Sequence, residues 1–197
     1  MAGPVRAPGP ALVVGGTGML SGTVRGLVAD GLRTAVAARG EAALRALVRS
    51  TAHPAMTLAL ATDYTDTTGF RSALERARDE LGPFRTVVLW IRTPSRDTAL
   101  PVVADVLAAG AVVVDVRGSA AAAPGRVRPL PPPELAGCDH RPVVLGFADG
   151  PDGTRWLTHQ EIADGVLAAA RAPAHAAPTD DGPGRVIGRV RPWHDRP

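Results

Sequence analysis

The stretch A-L-V-V-G-G-T-G-M-L-S-G, residues 11–22, decides how this chain is expected to fold. Its first four residues are small or apolar and predict a short buried strand. A glycine-rich turn follows at residues 15–18, and from residue 19 to residue 32 apolar side chains recur at helical spacing. A strand, a glycine turn and a helix in this order are typical of the first unit of a nucleotide-binding α/β fold.

The glycine turn has the composition that a pyrophosphate site requires. Glycine lets the main chain turn sharply and approach a ligand without a Cβ atom in the way, and the following helix offers unpaired N–H groups and the positive end of its dipole. The spacing is G-x-x-G-x-x-S-G, with Ser21 where a third glycine is usual. A turn that holds no ligand is the alternative. The predicted binding residues here are Gly15, Thr17, Gly18, Met19 and Leu20.

Strands and helices alternate along the rest of the chain, which predicts a parallel sheet with right-handed crossovers. We expect one domain, residues 1–197, of the α/β class: a Rossmann-type, doubly wound, mainly parallel sheet of about seven strands flanked by helices. The predicted strands are residues 11–14, 33–38, 56–61, 86–91, 111–116, 142–147 and 185–190; the helices are residues 19–32, 41–49, 67–81, 98–109 and 158–170, with Gly110 as a C-cap; residues 120–141 (proline-rich), 148–153 and 172–183 are expected to be irregular.

Composition excludes several function classes. Apolar residues make up 45% of the chain, which is typical of a globular protein. The net charge of +3 comes from arginines scattered among acids, which argues against nucleic-acid binding, and no apolar run approaches the roughly 20 residues that span a bilayer. Residues 1–10 lack the apolar core of a signal peptide, and the single cysteine, Cys138, allows no intrachain disulfide. We therefore expect a cytoplasmic protein.

The end of the second predicted strand favours NADP(H) over NAD(H). An acidic residue at that position pairs with the ribose hydroxyls, whereas an arginine pairs with a 2′-phosphate. This chain has Arg39 there and no acid, and the alternative is an exposed arginine at a helix start. Asp63, after the third strand, is placed either to contact the adenine amino group or to cap the next helix, and both interpretations stay open.

These residues resemble the short-chain dehydrogenase/reductase superfamily. The glycine spacing is similar to that of its extended and atypical subgroups. The segment T-D-Y-T-D at residues 62–66 falls where the superfamily keeps an adenine-contacting aspartate, and Ser119 falls where it places an active-site serine. Later segments, at residues 145–147, 155–162 and 188–193, resemble a set of small bacterial proteins. The resemblance implies the fold, a nicotinamide cofactor, a small-molecule substrate and a homo-oligomer.

The proton relay of that superfamily is absent from this chain. The relay is a tyrosine followed four residues later by a lysine. Here the only tyrosine is Tyr64, which is expected on the cofactor side, and there is no lysine. The helix that carries the pair is expected to be replaced by the proline-rich segment. The resemblance thus implies the fold and the cofactor but not the usual chemistry.

Ligands of such sheets bind beyond the carboxyl ends of the strands, which selects the remaining candidates. Trp90 and Ile91, at the end of the fourth predicted strand, are assigned to the cofactor. Ser119 and His159 are the candidate catalytic residues, although a serine that only bonds to the backbone and a histidine on the surface are the alternatives. No cluster has metal-ligand spacing. The residues assigned to a substrate are Arg92, Phe147 and Arg155.

The sequence therefore predicts an NADPH-dependent reductase of a small carbonyl or imine substrate. An imine is attractive because a substrate that is already protonated needs less help from a protein acid. A non-catalytic NADP(H)-binding sensor or scaffold, and a non-redox isomerase or cyclase on the same fold, are the alternatives.

Overall fold

The computed structural model describes residues 9–124, 132–173 and 185–197. The strands in these ranges are β1 (Ala11–Val14), β2 (Thr34–Ala38), β3 (Thr57–Ala61), β4 (Phe84–Leu89), β5 (Leu107–Arg117), β6 (Asp139–Leu145), β7 (Phe147–Gly150), β8 (Gly153–Trp156) and β9 (Arg185–Ile187). The helices are α1 (Ser21–Ala29), α2 (Glu41–Ser50), α3 (Thr67–Leu81), α4 (Arg96–Ala104) and α5 (His159–Arg171).

Seven strands form one sheet in the order β3-β2-β1-β4-β5-β6-β9, and every pairing in it is parallel. The chain moves outward from β1 to β3 and then starts again on the other side of β1 with β4. The sheet is therefore doubly wound, with its switch point between β1 and β4. This confirms the predicted Rossmann-type architecture.

Each face of the sheet carries its own apolar layer. In β1, Val13 belongs to a buried cluster with α1, α2 and α5, whereas Leu12 and Val14 belong to a second cluster with α3 and α4. Strands that are buried on both faces need apolar residues at every position, and β1 is fully buried throughout. This explains why the first strand lacks the alternation of a half-exposed one.

Two glycines bring α1 against α5. A Cβ atom on Gly22 would lie 2.6 Å from the Cβ atom of Ala163, and one on Gly26 would lie 2.4 Å from Cδ1 of Leu167. Any larger residue would push the helices apart, because close-packed interiors do not absorb added atoms without strain. The contact fixes α1 on the sheet, and with it the glycine turn at its N-terminus.

The structure corrects three expectations. The helix expected at residues 98–109 ends at Ala104, because residues 107–117 pair with β4 and form β5 despite their alanine content. Gly110, with φ of +62°, therefore lies inside a strand and does not cap the helix. The turn expected at residues 148–153 is the antiparallel hairpin of β7 and β8. Between β5 and β6 the described residues form two short 3-10 turns. Expectations for residues 1–8, 125–131 and 174–184 lie outside the described residues.

Candidate functional site

A cavity of about 350 Å³ opens at the carboxyl ends of β1, β2, β3 and β4. This edge, beside the switch point, is where open α/β sheets bind their ligands. The cavity is lined by the residues that end these strands and by the turns that follow them. Among the lining residues are six that the sequence singled out: Gly15, Thr17, Arg39, Tyr64, Trp90 and Arg92.

The glycine turn presents main chain to this cavity. Gly15 has φ of +82°, and a Cβ atom there would also lie 3.1 Å from the carbonyl oxygen of Trp90, so a larger residue would be strained. A Cβ atom on Gly18 would meet nothing within 4 Å, and Gly18 is exposed. The turn is thus closely packed at Gly15 and exposed at Gly18.

The helix that follows the turn begins without a side-chain cap. Its N-cap residue, Leu20, provides no side-chain cap, and its first turn contains no acidic residue. By contrast, Asp66 caps α3 by accepting from the N–H of Gly69 at 3.1 Å, and Thr158 caps α5. The N–H of Ser21 donates to the carbonyl oxygen of Gly18 at 2.9 Å. The partial positive charge at this uncapped N-terminus attracts an anion.

Arg39 and Gly40 directly follow β2 beside the cavity. The side chain of Arg39 is 81% exposed, and its only ion pair among the described residues is a loose one with Asp63, at 3.9 Å. Gly40 is the N-cap of α2, which also lacks a side-chain cap. An exposed guanidinium next to an uncapped helix start is an arrangement that binds phosphate.

Asp63 does not cap α3, because Asp66 does. Its Oδ1 atom instead accepts from the main-chain N–H of Thr65 at 2.9 Å. That hydrogen bond, with a smaller contribution from Arg39, lowers the pKa of Asp63. The capping alternative for Asp63 is therefore wrong, and the adenine contact stays a prediction.

Aromatic side chains form the remaining walls. Tyr64 is half-buried and Phe70 is fully buried, and both line the cavity on the β3 side. Trp90 is half-buried on the β4 side. The side chains of Leu20 and Ile91 lie in the core, and Met19 packs against it, so that Leu20 and Ile91 have only main-chain atoms to offer a ligand.

The two candidate catalytic residues do not line this cavity. Ser119 is half-buried in the 3-10 turn that follows β5, and His159 is exposed at the first position of α5. Phe147, assigned to a substrate, is fully buried with the guanidinium of Arg189 4.7 Å from its ring centre. Of the catalytic and substrate residues that the sequence selected, only Arg92 lies in the lining.

Arg155 already has a carboxylate partner. It donates hydrogen bonds of 2.8 and 2.9 Å to the two carboxylate oxygens of Glu161. Glu161 also accepts from the main-chain N–H of Thr158, which completes the capping box of α5. These hydrogen bonds, that from Arg155 first, lower the pKa of Glu161 to about 2. In this arrangement Arg155 fastens the β7–β8 hairpin to α5.

Sequence reasoning did not identify a buried charged cluster around Asp115 of β5. The carboxylate is fully buried, and its Oδ2 atom accepts from Arg96 at 2.7 Å and from Arg117 at 2.7 and 3.0 Å, with Nε2 of His140 at 3.3 Å. The available signal was an acid inside the apolar strand V-V-V-D-V, residues 112–116. A buried acid in such a strand requires partners.

Opposing effects set the charge state of this cluster. Burial by itself would raise the pKa of Asp115, but the hydrogen bond from His140 and the charges of Arg96 and Arg117 outweigh it and lower the pKa to about 2. Asp115 therefore stays ionised and joins β5, β6 and the start of α4. Its Oδ1 atom and Nη1 of Arg96 are buried without a hydrogen-bond partner.

Within the described ranges, no helix is both long and apolar enough to cross a bilayer, and no group of three or more His, Cys, Asp or Glu side chains is close enough to hold a metal ion.

Comparisons with known proteins support the fold. No protein-family model and no curated protein matched the sequence. Solved structures do match: a short-chain dehydrogenase/reductase of the glucose/ribitol dehydrogenase type from Brucella melitensis has a TM-score of 0.71 at 14% identity, over 92% of this chain and 94% of that one. A variant of actinorhodin polyketide ketoreductase with NADPH has a TM-score of 0.68 at 15% identity, over 92% and 95% of the two chains.

A third similar structure is a short-chain oxidoreductase from Pseudomonas aeruginosa that is described as containing an atypical catalytic center. Its TM-score is 0.55 at 19% identity, over 73% of this chain and 72% of that one. The chain therefore has the fold of short-chain dehydrogenases/reductases, and the resemblance read from its sequence is confirmed at that level.

Proposed function

We propose, from this shared fold and from the cavity, that the chain is an NADPH-dependent reductase of a small carbonyl or imine substrate. The observation that carries the proposal is the meeting of two phosphate-binding features at one cavity. The glycine turn leads into the uncapped N-terminus of α1, and Arg39 stands exposed at the end of β2. NADPH carries a pyrophosphate and a 2′-phosphate, which are the two groups that such features bind.

The residues present fit this cofactor. Thr17 and the open Gly18 would hold the pyrophosphate, Arg39 and the N-terminus of α2 would hold the 2′-phosphate, and Tyr64 would contact the adenosine. Two solved structures of similar fold, the ketoreductase variant and a blue fluorescent protein from a metagenomic library, are complexes with NADPH. An arginine pairing with a 2′-phosphate favours NADPH over NADH because the interaction joins two full charges.

When bound, the nicotinamide supplies the hydride, and the protein must position the substrate and manage a proton. The described residues that line the cavity include no histidine and no carboxylate. Arg92 is exposed there and would bind a carboxylate of the substrate. A protonated imine brings its own proton, so an imine that carries a carboxylate suits these residues better than a neutral ketone.

A screen of cyclic imines, imino acids, aldehydes and keto acids tests the proposal, with the loss of NADPH fluorescence as the readout. We expect oxidation of NADPH by at least one imine. Ser119→Ala and His159→Ala distinguish a protein proton donor from a substrate that carries its own proton. If a protein side chain donates the proton, turnover should collapse in one of the two variants. If the substrate carries it, both variants should retain turnover. Tight cofactor binding without turnover on any compound would contradict the reductase.

A nucleotide-binding protein without turnover is the second candidate. It is favoured by the absence of the tyrosine–lysine pair and by the location of Ser119 and His159 outside the cavity lining. It predicts that NADPH and NADP+ bind with different affinities, as a redox sensor requires, and that no substrate is reduced. Equal affinities together with turnover would exclude it.

A further inference from the structure

The indole ring of Trp90 lies across the carboxyl edge of the sheet. The main-chain N–H of Trp90 donates to the carbonyl oxygen of Val14 at 3.0 Å, which fixes the residue at the end of β4, between β1 and β5. A Cβ atom on Gly15 would lie 3.3 Å from Cδ1 of the indole, and one on Gly118 would lie 3.8 Å from Cη2 at its far end. The ring thus reaches from the glycine turn after β1 to the end of β5.

The cavity lies on one side of this ring. Its lining comes from the ends of β1, β2, β3 and β4, whereas Gly118 and Ser119, which follow β5, do not belong to it. At about 350 Å³ it is near the lower end of the range of about 300–1,000 Å³ for small-molecule sites. This is room for a nucleoside with its phosphates, and the second nucleoside of a dinucleotide would have to pass the indole.

We propose that Trp90 determines which nucleotides the site admits. Adenosine nucleotides with a 2′-phosphate bind while the indole stays in place, and the nicotinamide half of a dinucleotide binds only after the indole has turned away. The inference rests on the proposed function, because it assumes that the cavity is the NADP(H) site. It adds a specificity-determining residue on the nicotinamide side, where the sequence offered only a general cofactor contact.

The position of the ring has a measurable consequence. Trp90 is half-buried and packs against the core cluster that includes Val88 and Val114, so turning it away loses apolar contacts. A ligand that requires a minor conformation binds more weakly in proportion to the population of that conformation. If the indole turns away in about one molecule in ten, the apparent affinity for the dinucleotide falls about ten-fold, and that for the adenosine half does not change.

Titration calorimetry with adenosine 2′,5′-bisphosphate and with NADPH tests this inference on the wild-type chain, Trp90→Ala, Trp90→Phe and Trp156→Ala. Trp156 is 50% exposed on the β7–β8 hairpin and serves as the matched control. We expect the wild-type chain to bind the two ligands with affinities within about three-fold of each other. Trp90→Ala should strengthen NADPH binding about ten-fold and leave the bisphosphate unchanged, with Trp90→Phe intermediate and Trp156→Ala without effect.

The opposite pattern would overturn the inference: NADPH binding about a hundred-fold tighter than the bisphosphate in the wild-type chain, and weakened by Trp90→Ala, would make the indole a contact of the nicotinamide. Failure of both nucleotides to bind any variant would instead overturn the proposed function, and the inference with it.

A second readout does not depend on the stability of Trp90→Ala. In Trp156→Phe/Trp193→Phe, Trp90 is the sole tryptophan, and acrylamide should quench it more strongly when NADP+ is bound, but not when the bisphosphate is bound. Reduced or unchanged quenching with NADP+ would contradict the turning of the ring.

Discussion

Arg39 and Asp63 meet beside the cavity, with Nη1 of the arginine 3.9 Å from Oδ2 of the aspartate. They come from the ends of the neighbouring strands β2 and β3. Arg39 is 81% exposed, so the pair contributes little to the free energy of folding. Its guanidinium can leave Asp63 and bind a phosphate with almost no loss in the free energy of folding. This is expected of a ligand-binding residue rather than of a structural one.

Arg39→Ala tests the choice of cofactor. We expect NADPH binding to weaken by about ten-fold or more, because a charge-assisted hydrogen bond contributes about 1.5–3 kcal/mol, with NADH binding almost unchanged. Arg49→Ala is the matched control, since it removes the same charge from an exposed position in the last turn of α2. Dissociation constants for both cofactors give the ratio directly. If Arg39→Ala keeps the wild-type preference for NADPH over NADH, Arg39 does not bind the 2′-phosphate.

Gly18→Ala and Gly22→Ala separate ligand binding from packing. The added methyl group of Gly18→Ala meets no protein atom, so the thermal midpoint should stay close to that of the wild-type chain while NADPH affinity falls. The methyl group of Gly22→Ala meets Ala163 at 2.6 Å and should lower the free energy of unfolding by about 1–3 kcal/mol. Thermal unfolding and calorimetry measure the two effects. Wild-type affinity in Gly18→Ala would argue against a phosphate at this turn.

Asp115→Ala tests the buried cluster. It leaves the buried Arg96 and the partly buried Arg117 without their carboxylate, and removal of one partner of a buried ion pair costs about 3–5 kcal/mol. Asp105→Ala is the control, because Asp105 pairs with Arg71 on the surface and should contribute less than about 1 kcal/mol. Urea unfolding at neutral pH provides both values. If Asp115→Ala lowers the free energy of unfolding by less than about 1 kcal/mol, as expected for the control, the cluster does not stabilise the fold.

Asp115 also predicts how stability depends on pH. Its pKa is about 2 in the folded protein, compared with 3.8 for the free side chain. A carboxyl group with a lowered pKa stabilises the fold above its unfolded pKa and loses that contribution as the pH falls through its folded pKa. We expect about 2 kcal/mol of stability to disappear between about pH 4 and pH 2. The pKa of Glu161 is also lowered, so its contribution to stability is lost over the same fall in pH. Urea unfolding at several pH values should show a flatter profile for Asp115→Asn, and an identical profile would contradict the assignment.

The first strand and the glycine turn could be predicted from the sequence because their signals are local. Residues 11–14 are apolar at every position, as a strand buried on both faces requires, and Gly15 needs to be glycine because its φ is +82°. The start of β5 could not be predicted. Its alanines favour a helix, and pairing with β4 overrides that preference.

The candidate site was predictable only in part. Strand ends selected Gly15, Arg39, Tyr64 and Trp90, because parallel strands bring their carboxyl ends to one edge. The cluster at Asp115 depends on side chains from three separate elements, and no residue spacing along the chain predicts such a contact. The roles of Ser119 and His159 stay predictions, because catalysis depends on where a substrate lies.

Titration with NADPH, followed by calorimetry and by thermal unfolding, tests the central claim most directly. If the glycine turn and Arg39 hold the cofactor, NADPH should release heat on binding. At about one hundred times its dissociation constant it should stabilise the fold by about 2.7 kcal/mol, which raises the unfolding midpoint by about 5–11 °C. Absence of both heat and a midpoint shift with NADPH, NADH and their oxidised forms would contradict the account.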